Sequence, residues 1–400
     1  MYKNIFQPAD ILIPKTPDFE SWSVIACDQY SSDKEYWMRV EDKTREKPST
    51  FHMIVPEAFL DNISMPEASR SKHEIMEKYW NSGMFATLPN SFVYVEREVT
   101  GGFVRHGIVG VIDLEAYEYT PGNSALIRAS ENTVVDRLPP RIAVRSSALL
   151  ELPHIMVLLD DAEKSVIEPI SEHKNELEPL YDFELMENGG RLKGWQVSGE
   201  AAEKVMSAIN AIEKPFLLVI GDGNHSLAAA KCCWENIKKE TGLDTHPARY
   251  ALVEMNNVYD EGIVFEPIHR VIFGTNIEKF VCALKEKIAG KSGWRLEYRA
   301  KDSSGAFCVE AENVGNLIDK VQKFVEAYIS ENGGTVDYIH DLSAVSEFTT
   351  KSDTVGILMP PMDKSELFKT VAENGVFPKK SFSIGHAKDK RYYLECRKIR

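Results

Sequence analysis

The chain has 400 residues, a formal net charge of −14 and an apolar share of 43%. This length suggests two or three domains with cores of ordinary size. The excess of carboxylates disfavours nonspecific nucleic-acid binding, which depends on lysines and arginines that neutralise phosphates. The sequence has no run of about 18 apolar residues that would predict a membrane span. Because it also lacks the layout of a signal peptide, we expect a cytoplasmic protein with no membrane partner.

The cysteines are scattered and include no C-x-x-C pair, so neither a zinc ribbon nor a redox dithiol is predicted. Packing residues in a reducing cytoplasm are the simpler interpretation. The six positions are 27, 232, 233, 282, 308 and 396.

The N-terminal region mixes short strands and helices. The stretch SDKEYWMRVEDKTRE predicts a helix that Ser32 or Asp33 caps. The stretch SFVYVEREVTGGFVRHGIVGVIDLEAY alternates in polarity on both sides of Gly101-Gly102. That pattern predicts a β-hairpin.

A basic, proline-broken stretch, IRASENTVVDRLPPRIAVRSS, follows and predicts a loop that leads into a helix. It reverses the acidic charge of the chain locally, with four arginines within eighteen positions: Arg128, Arg137, Arg141 and Arg145. These arginines either supply positive charge to a site or form ordinary surface ion pairs.

The next regular pattern is a buried strand, FLLVI, which stops at Gly221-Asp222-Gly223. A helix pattern with one apolar stripe follows and ends at Gly242. From about residue 275, helix patterns alternate with strands. Taken together, the elements predict an α/β or α+β fold of mixed sheets flanked by helices.

The residues after the strand, IGDGNHS, suit an anion. The first N–H groups of a helix lack partners within the helix and form its positive end, which favours phosphate. Gly221 and Gly223 let the backbone approach a ligand closely. Asn224 and Ser226 can donate to phosphate oxygens, and His225 can donate or shuttle a proton.

Asp222 fits an anion site less well, because its carboxylate repels phosphate. It suits a magnesium ligand or a base for an incoming hydroxyl. The alternative is structural, since an acidic or amide side chain after a strand often caps the next helix. The turn is neither a Walker loop nor a G-x-G-x-x-G motif.

The run IGDGNHSLAAA resembles the Asp-Gly-His-His-Arg motif of the family called domain of unknown function 1015. Three further stretches are similar to that family in the same order. IRASENTVVDR resembles the family's His-Glu-x-Thr…Asp-Arg segment. ALVEMNNVYDEGIVFEPIHRVI resembles its strand–turn–strand segment, which ends in Pro-x-His-Arg. FPKKSFSIG resembles its C-terminal Pro-x-Lys-Ser. The resemblance covers nearly the whole chain.

This resemblance implies a core like those of the ParB and sulfiredoxin domains, a superfamily that includes free-serine kinases using ADP, ATP or pyrophosphate. It implies that Asp222, Gly223, Asn224 and His225 lie where such kinases hold phosphates. In those kinases a carboxylate accepts the serine hydroxyl proton, and Glu131 is a candidate for that role here.

The motif also departs from the family. Asn224 replaces a histidine, Ser226 an arginine, and Ser130 the histidine of the other segment. The missing arginine removes a bidentate phosphate clamp. Either the neighbouring arginines substitute for it, or this branch no longer transfers phosphate.

Three other positions have two interpretations each. His269 and Arg270 end the Pro-x-His-Arg segment and either contact the same phosphate or serve as scaffold. Asp28 lies where the family has a Tyr-Asp, and it either faces the site or is a turn residue. A thiol enzyme built on Cys27 lacks any nucleophile motif around it.

We expect three regions: an N-terminal α+β region over 1–120, a ParB/serine-kinase-like core over 121–275 that carries the turn, and a C-terminal α+β region over 276–400. The expected activity is phosphoryl transfer between a nucleotide or pyrophosphate and a small hydroxyl compound, serine or phosphoserine first. Mg²⁺ at Asp222 and ATP, ADP or pyrophosphate are the expected cofactors.

Two alternatives remain open at the level of sequence. The first is a non-catalytic sensor or switch for a nucleotide or phosphate. The second is a ParB-like DNA-associated protein, which the acidic charge and the lack of a basic recognition helix disfavour. A phosphate-containing small molecule is the expected partner, and a homodimer is compatible with the sequence.

Overall fold

The computed structural model describes residues 4–16, 18–31 and 33–400. Its α-helices are, in chain order, α1 (Phe19–Trp22), α2 (Lys34–Thr44), α3 (Met65–Asn81), α4 (Leu138–Ser147), α5 (Glu168–Glu172), α6 (Gly199–Ala211), α7 (Asn224–Thr241), α8 (Ile277–Ile288), α9 (Val314–Asn332), α10 (Leu342–Phe348) and α11 (Lys364–Asn374). Its strands are β1 (Phe6–Gln7), β2 (Ala9–Pro14), β3 (Val24–Ile25), β4 (Phe85–Val99), β5 (Phe103–Asp113), β6 (Tyr117–Glu118), β7 (Ile127–Arg128), β8 (Leu150–Glu151), β9 (Met156–Leu159), β10 (Glu178–Glu184), β11 (Arg191–Val197), β12 (Leu218–Asp222), β13 (Tyr250–Asn257), β14 (Phe265–Pro267), β15 (His269–Phe273), β16 (Trp294–Ala300), β17 (Ser303–Val309), β18 (Thr335–Ile339), β19 (Thr354–Leu358), β20 (Phe382–Ile384), β21 (Tyr392–Tyr393) and β22 (Arg397–Lys398).

Contacts within the chain divide it into two compact units. The first comprises Met1–Ala129, Thr133–Ile263 and Ala387–Arg400, and the second comprises Ser130–Asn132 and Val264–His386. The three regions expected from the sequence follow other boundaries and stay a prediction.

A mixed sheet forms the frame of the first unit. In the described part of the chain it has eleven strands, with the main order β10-β11-β4-β5-β13-β9-β12-β7-β6, while β1 pairs with β5 and β2 with β4. The β13–β9, β12–β7 and β6–β7 pairs are parallel, and the other pairs are antiparallel. The strand β12 therefore lies inside the sheet, between β9 and β7, and ends at Asp222.

The hairpin expected around two adjacent glycines is present. Strands β4 and β5 pair antiparallel from Val93↔Val109 to Val99↔Phe103. Gly101 and Gly102 have φ of 89° and 80°, a backbone region that glycine occupies without steric cost.

Helix α7 packs its apolar stripe onto this sheet. Leu227, Ala230 and Trp234 are buried in one cluster with Leu218 and Ile220 of β12. Each large apolar side chain buried in this way contributes roughly 1.5–3 kcal/mol. Strand and helix are thereby held rigidly on both sides of the turn that joins them.

Capping residues define the ends of two predicted helices. Asp33 caps α2, since its Oδ1 accepts from the N–H of Tyr36 at 2.9 Å. Ser32, the other expected cap, lies outside the described residues. Gly242 ends α7 with φ 71° and donates its N–H to the carbonyl of Lys238 at 2.8 Å, as predicted.

The second unit contains a five-stranded antiparallel sheet in the order β17-β16-β19-β15-β18 and the separate pair β14–β20. Val271, Val345 and Leu358 form part of its core, and Phe280 packs edge-on against Phe324 and Tyr328. The predicted strand–turn–strand segment supplies β13 to the first unit and β14 and β15 to the second. The predicted mixed α+β class is confirmed.

Within residues 4–16, 18–31 and 33–400, no helix combines the length and the apolar character needed to cross a bilayer.

Candidate functional site

The turn between β12 and α7 is shaped by Gly223. This residue is the N-cap of α7 and adopts the left-handed conformation, with φ 86° and ψ 25°. A Cβ at this position would lie 3.0 Å from Cγ1 and 3.2 Å from Cα of Ile155. Only glycine meets both the conformation and the close approach.

Helix α7 begins without a side-chain cap among the described residues, and its first turn holds no acidic side chain. Asp222 does not cap it, because its Oδ1 accepts from the N–H of Gly223 at 3.0 Å rather than from the helix. The structural interpretation of Asp222 as a capping residue is therefore wrong. The positive end of an 18-residue helix faces the turn without a neutralising carboxylate in the helix itself.

Lys390 compensates the charge of Asp222. Its Nζ lies 3.5 Å from Oδ2 of Asp222, and its side chain is only 10% exposed. A lysine and a helix N-terminus therefore flank one carboxylate, so an anion at the turn would meet two positive groups beside this negative one.

One ring nitrogen of His225 contacts the loop before α4, which contains Val134. Its Nε2 accepts from the backbone N–H of Val134 at 3.2 Å. A neutral ring with Nε2 as acceptor carries its proton on Nδ1. The expected proton shuttle therefore does not run through Nε2 in this arrangement, and donation from Nδ1 to a ligand stays a prediction.

Ser226 belongs to a buried chain of hydrogen bonds. Its Oγ lies 3.0 Å from Nε2 of His154, whose Nδ1 lies 3.0 Å from the hydroxyl of Tyr393. That hydroxyl also accepts from the N–H of Cys27 at 3.1 Å, and it donates to Nδ1 in the tautomer of His154 that carries its proton on Nε2. His154 then donates to Ser226, which leaves the Ser226 proton for a further acceptor.

A cavity of about 160 Å³ adjoins the turn within the first unit. Its polar lining includes Asp28, His154 and Ser226, together with Arg141 and Arg145. The rest of its wall is mainly apolar and comes largely from the segments before α3, from α3 and α4 and from the sheet: Met53, Ile54, Val55, Leu60, Met65, Met76, Val144, Leu150, Leu252 and Ile399.

Asp28 places an ionised carboxylate at this cavity. Burial works to raise its pKa, but the neighbouring imidazole of His154, the hydrogen bond from Gln29 and the charges of Lys390 and Arg141 outweigh burial and hold the pKa below its usual value. The sequence left Asp28 open between a site residue and a turn residue, and the structure places it in the cavity wall.

Cys27 is a poor nucleophile. Burial, reinforced by the negative charge of Asp28, raises the pKa of its thiol to about 11. Since only the thiolate attacks effectively, a thiol enzyme at this position is not supported.

The four arginines of the basic stretch have different surroundings. Arg141 pairs with Glu57 and Arg145 with Glu151, the latter at 2.7 Å, and both line the cavity. Arg128 stacks on Phe216, with 4.2 Å between its Cζ and the ring centroid, and donates to the carbonyl of Ala125. Arg137 is exposed. Arg128 and Arg137 do not belong to the cavity lining in the described part of the chain.

Glu131 and Arg270 lie in the second unit. The Oε1 of Glu131 accepts from the N–H of Ser381 at 3.1 Å. Arg270 is fully buried and donates to the carbonyls of Ile268 and Lys380. Burial lowers its pKa to about 10 against the raising effect of nearby acidic groups. Arg270 therefore has the contacts expected of scaffold.

His269 is also buried, with 2% of its surface exposed. Its Nδ1 accepts from the N–H of Met359 at 3.1 Å, while its Nε2 has no hydrogen-bond partner among the described residues. Burial, with the positive charges of Arg270 and Arg299, lowers its pKa to about 4. The ring is therefore neutral near pH 7.

The described residues do not by themselves fit a resident magnesium ion. No group of three or more His, Cys, Asp or Glu side chains among them is placed to hold a metal, and Asp222 is one carboxylate that faces Lys390. Mg²⁺ at Asp222 stays a prediction.

Sequence reasoning missed His154, Tyr393 and Lys390. His154 precedes the buried strand that pairs with β12, so its position one residue before an apolar run was a usable signal. Tyr393 and Lys390 come from the last fifteen residues of the chain, where no local pattern points to the turn.

The family model described as "Protein of unknown function (DUF1015)" matches residues 8–397. The chain belongs to this family. A search of curated proteins gives no match.

Solved structures with a related arrangement include a free serine kinase in complex with AMP, at 14% identity and a TM-score of 0.38, covering 72% of this chain and 90% of the kinase. They also include C-terminally truncated SbnI from Staphylococcus aureus, at 10% identity and a TM-score of 0.37, covering 69% of this chain and 82% of SbnI. A conserved hypothetical protein from Pyrococcus furiosus matches at 13% identity and a TM-score of 0.35, and the match covers 71% of this chain and 90% of that protein.

Proposed function

We propose that this DUF1015 protein transfers a phosphoryl group between a nucleotide or pyrophosphate and a small hydroxyl compound. The observation that carries the proposal is the start of α7. There a left-handed Gly223 opens an 18-residue helix that has no side-chain cap, next to Lys390 and beside a cavity with an ionised carboxylate. Phosphoryl transfer needs mostly positioning and charge neutralisation.

In this proposal, the phosphates bind at the first turn of α7. Backbone N–H groups at the helix start donate to phosphate oxygens, and Asn224 and Nδ1 of His225 add side-chain donors. Ser226 donates its hydroxyl proton, since His154 already occupies its acceptor side. Lys390 supplies the positive charge that the absent family arginine would bring, as a point charge rather than a bidentate clamp.

Asp222 is the proposed base that orients the acceptor hydroxyl, while Glu131, which lies in the second unit, stays a prediction from the family resemblance. A general base of this kind contributes typically about 10²–10⁴-fold to the rate. Serine and phosphoserine are the first compounds to test, and the residues are compatible with either direction. Because the turn does not build a metal site, no step is assigned to Mg²⁺.

The remaining arginines have unequal parts in the proposal. Arg141 and Arg145 stay candidates because they line the cavity, although each already has a carboxylate partner. Ligand contacts stay a prediction for the other four residues named from the sequence: Arg128, Arg137, His269 and Arg270. The expected homodimer and the cytoplasmic location also stay predictions.

A ligand panel followed by a transfer assay tests the function. ATP, ADP, pyrophosphate and phosphoserine should each be scanned for a rise in melting temperature, because a ligand that binds only the folded state stabilises it. Transfer of labelled phosphate to serine or another alcohol would establish the enzyme. Stabilisation without transfer would establish the sensor instead, and DNA binding with a steep salt dependence would favour the third alternative.

A further inference from the structure

The cavity beside the turn differs from a site for a small polar amino acid. Its walls carry aliphatic and thioether side chains, such as Met53, Met76, Val144 and Leu252. Its described lining holds two aromatic rings, Tyr393 and His154, which pack edge-on against each other and are joined by a hydrogen bond. Such walls favour an aliphatic body over a flat ring that needs a stacking partner.

The charges of the cavity lining are almost balanced before any ligand enters. Arg141 pairs with Glu57, and Glu151 pairs with both Arg145 and Arg397. The remaining carboxylate, Asp28, already lies in the positive field of Lys390 and Arg141 and accepts from Gln29 at 3.2 Å. A ligand ammonium therefore gains little there, and a ligand carboxylate would be buried against Asp28 at a cost.

A neutral hydroxyl suits a cavity whose charged side chains already have partners. It can donate to a carboxylate without adding a charge to an apolar cavity, and hydrogen bonds to charged acceptors are stronger than those between neutral groups. The size of the cavity limits the ligand as well. A dry cavity of about 150 Å³ holds a ligand with about six non-hydrogen atoms in its apolar part.

We propose that the cavity beside the turn binds a neutral aliphatic alcohol with roughly five to seven carbons, its hydroxyl on Asp28 and its body against the methionine and aliphatic wall. This inference goes beyond the proposed function, because the described lining residues of the cavity include Asp28 but not the proposed base Asp222. It places a hydroxyl next to Ser226, which lies in the wall of the same cavity and in the turn.

Three compounds with one apolar body test the head group. 3-Methyl-1-butanol, 3-methylbutylamine and 3-methylbutanoate should be titrated calorimetrically into the full chain, with L-serine and adenosine as further ligands. The alcohol is expected to bind about tenfold or more tightly than the amine, the carboxylate and serine, because each of these carries a charge that must be taken out of water to enter the cavity. Binding of adenosine in place of the alcohol would make the cavity a nucleoside site and overturn the inference.

Two substitutions test the position of the alcohol. Ala229 lines the cavity from α7, so Ala229→Leu fills it and should abolish alcohol binding. Asp28→Asn keeps the shape and should weaken alcohol binding about tenfold. Ala143→Leu, on the exposed face of α4, is the matched control and should bind the alcohol like the native chain.

A separate measurement keeps the two proposals distinct. Pyrophosphate binding and phosphoryl transfer should be followed in the same variants. If serine is phosphorylated but the alcohol neither binds nor competes, the alcohol inference is wrong and the proposed function stands. If the alcohol binds, Ala229→Leu removes that binding and no acceptor is phosphorylated, the cavity assignment holds and the proposed function fails.

Discussion

The hydroxyl of Ser226 lies 3.0 Å from Nε2 of His154, although the two residues are 72 positions apart in the chain. Tyr393 fixes the other side of the imidazole. This arrangement gives the turn a donor with a defined direction, at the position where the family motif has an arginine. A hydroxyl held in this way loses less freedom on binding a phosphate oxygen than an unrestrained serine would.

Replacing His154 by Phe should weaken pyrophosphate binding about tenfold, because Ser226 would lose the group that orients its proton. Ser226→Ala should weaken binding by a similar factor, and the double variant should be no worse than either single variant. Calorimetric titration of pyrophosphate measures all three. Native affinity in the His154→Phe variant, combined with poor binding by Ser226→Ala, would show that the imidazole does not orient the hydroxyl.

Gly223→Ala should both destabilise the protein and remove phosphate binding. The left-handed backbone and the 3.0 Å approach to Ile155 oppose a side chain there, so we expect a loss of about 1–3 kcal/mol in the free energy of unfolding. Gly242→Ala is the matched control at the other end of α7. It also has a positive φ, but among the described residues nothing beyond its own chain neighbours lies within 4 Å of its Cβ position.

The two glycine variants separate stability from binding. Chemical denaturation should show a loss of about 1 kcal/mol for Gly242→Ala, with pyrophosphate affinity unchanged. If Gly223→Ala binds pyrophosphate as tightly as Gly242→Ala, the turn does not hold the anion.

The local features of this fold were predictable from the sequence. The apolar run before Gly221, the stripe on α7 and the terminating Gly242 lie within one short stretch, and neighbouring residues decide them. The β4–β5 hairpin is local for the same reason. In each case the pattern and the backbone requirement coincide at adjacent positions.

The surroundings of the turn were not predictable in the same way. Lys390 and Tyr393 reach the first unit only because the C-terminal segment returns to it, with β21 pairing to β3 at Tyr393↔Val24. Whether an arginine meets a ligand or a carboxylate depends on partners far away in sequence. Arg141 finds Glu57, which is 84 positions away, and no spacing rule contains that information.

Asp222→Asn should separate binding from chemistry. The amide keeps an oxygen that can accept from Gly223 but removes the negative charge, so pyrophosphate should bind at least as tightly as to the native chain. Phosphoryl transfer should fall about 100-fold or more, since the base is lost. Asp182→Asn, in a surface ion pair with Arg191, is the control.

Lys390→Met should weaken pyrophosphate binding, in contrast to Asp222→Asn. It removes the positive charge beside Asp222 while keeping an apolar stem of similar length, so pyrophosphate affinity should fall about tenfold. Combined with Asp222→Asn, it should recover part of that loss, because the repulsive carboxylate is also gone. Unchanged affinity in Lys390→Met would remove the lysine from the proposed phosphate site.

The second unit should lose stability in mild acid because of His269. Its pKa of about 4 in the folded chain lies below the ordinary value of 6.5, so the unfolded chain binds more protons between these values. The stability contribution is complete above pH 6.5 and is lost as the pH falls towards 4, by about 1–3 kcal/mol in total. Hydrogen exchange of β15 and β19 at pH 7.5 and 5.0 measures this change locally.

His269→Gln should make the stability of the second unit less dependent on pH, because glutamine can accept from the N–H of Met359 but does not titrate in this range. His173→Gln, at an exposed position of the first unit, removes one histidine without a buried environment and should leave the acid sensitivity of β15 as it is in the native chain. An equal loss of protection in the native chain and in His269→Gln would mean that another group causes the acid response, and the imidazole would then not be the buried neutral group described above.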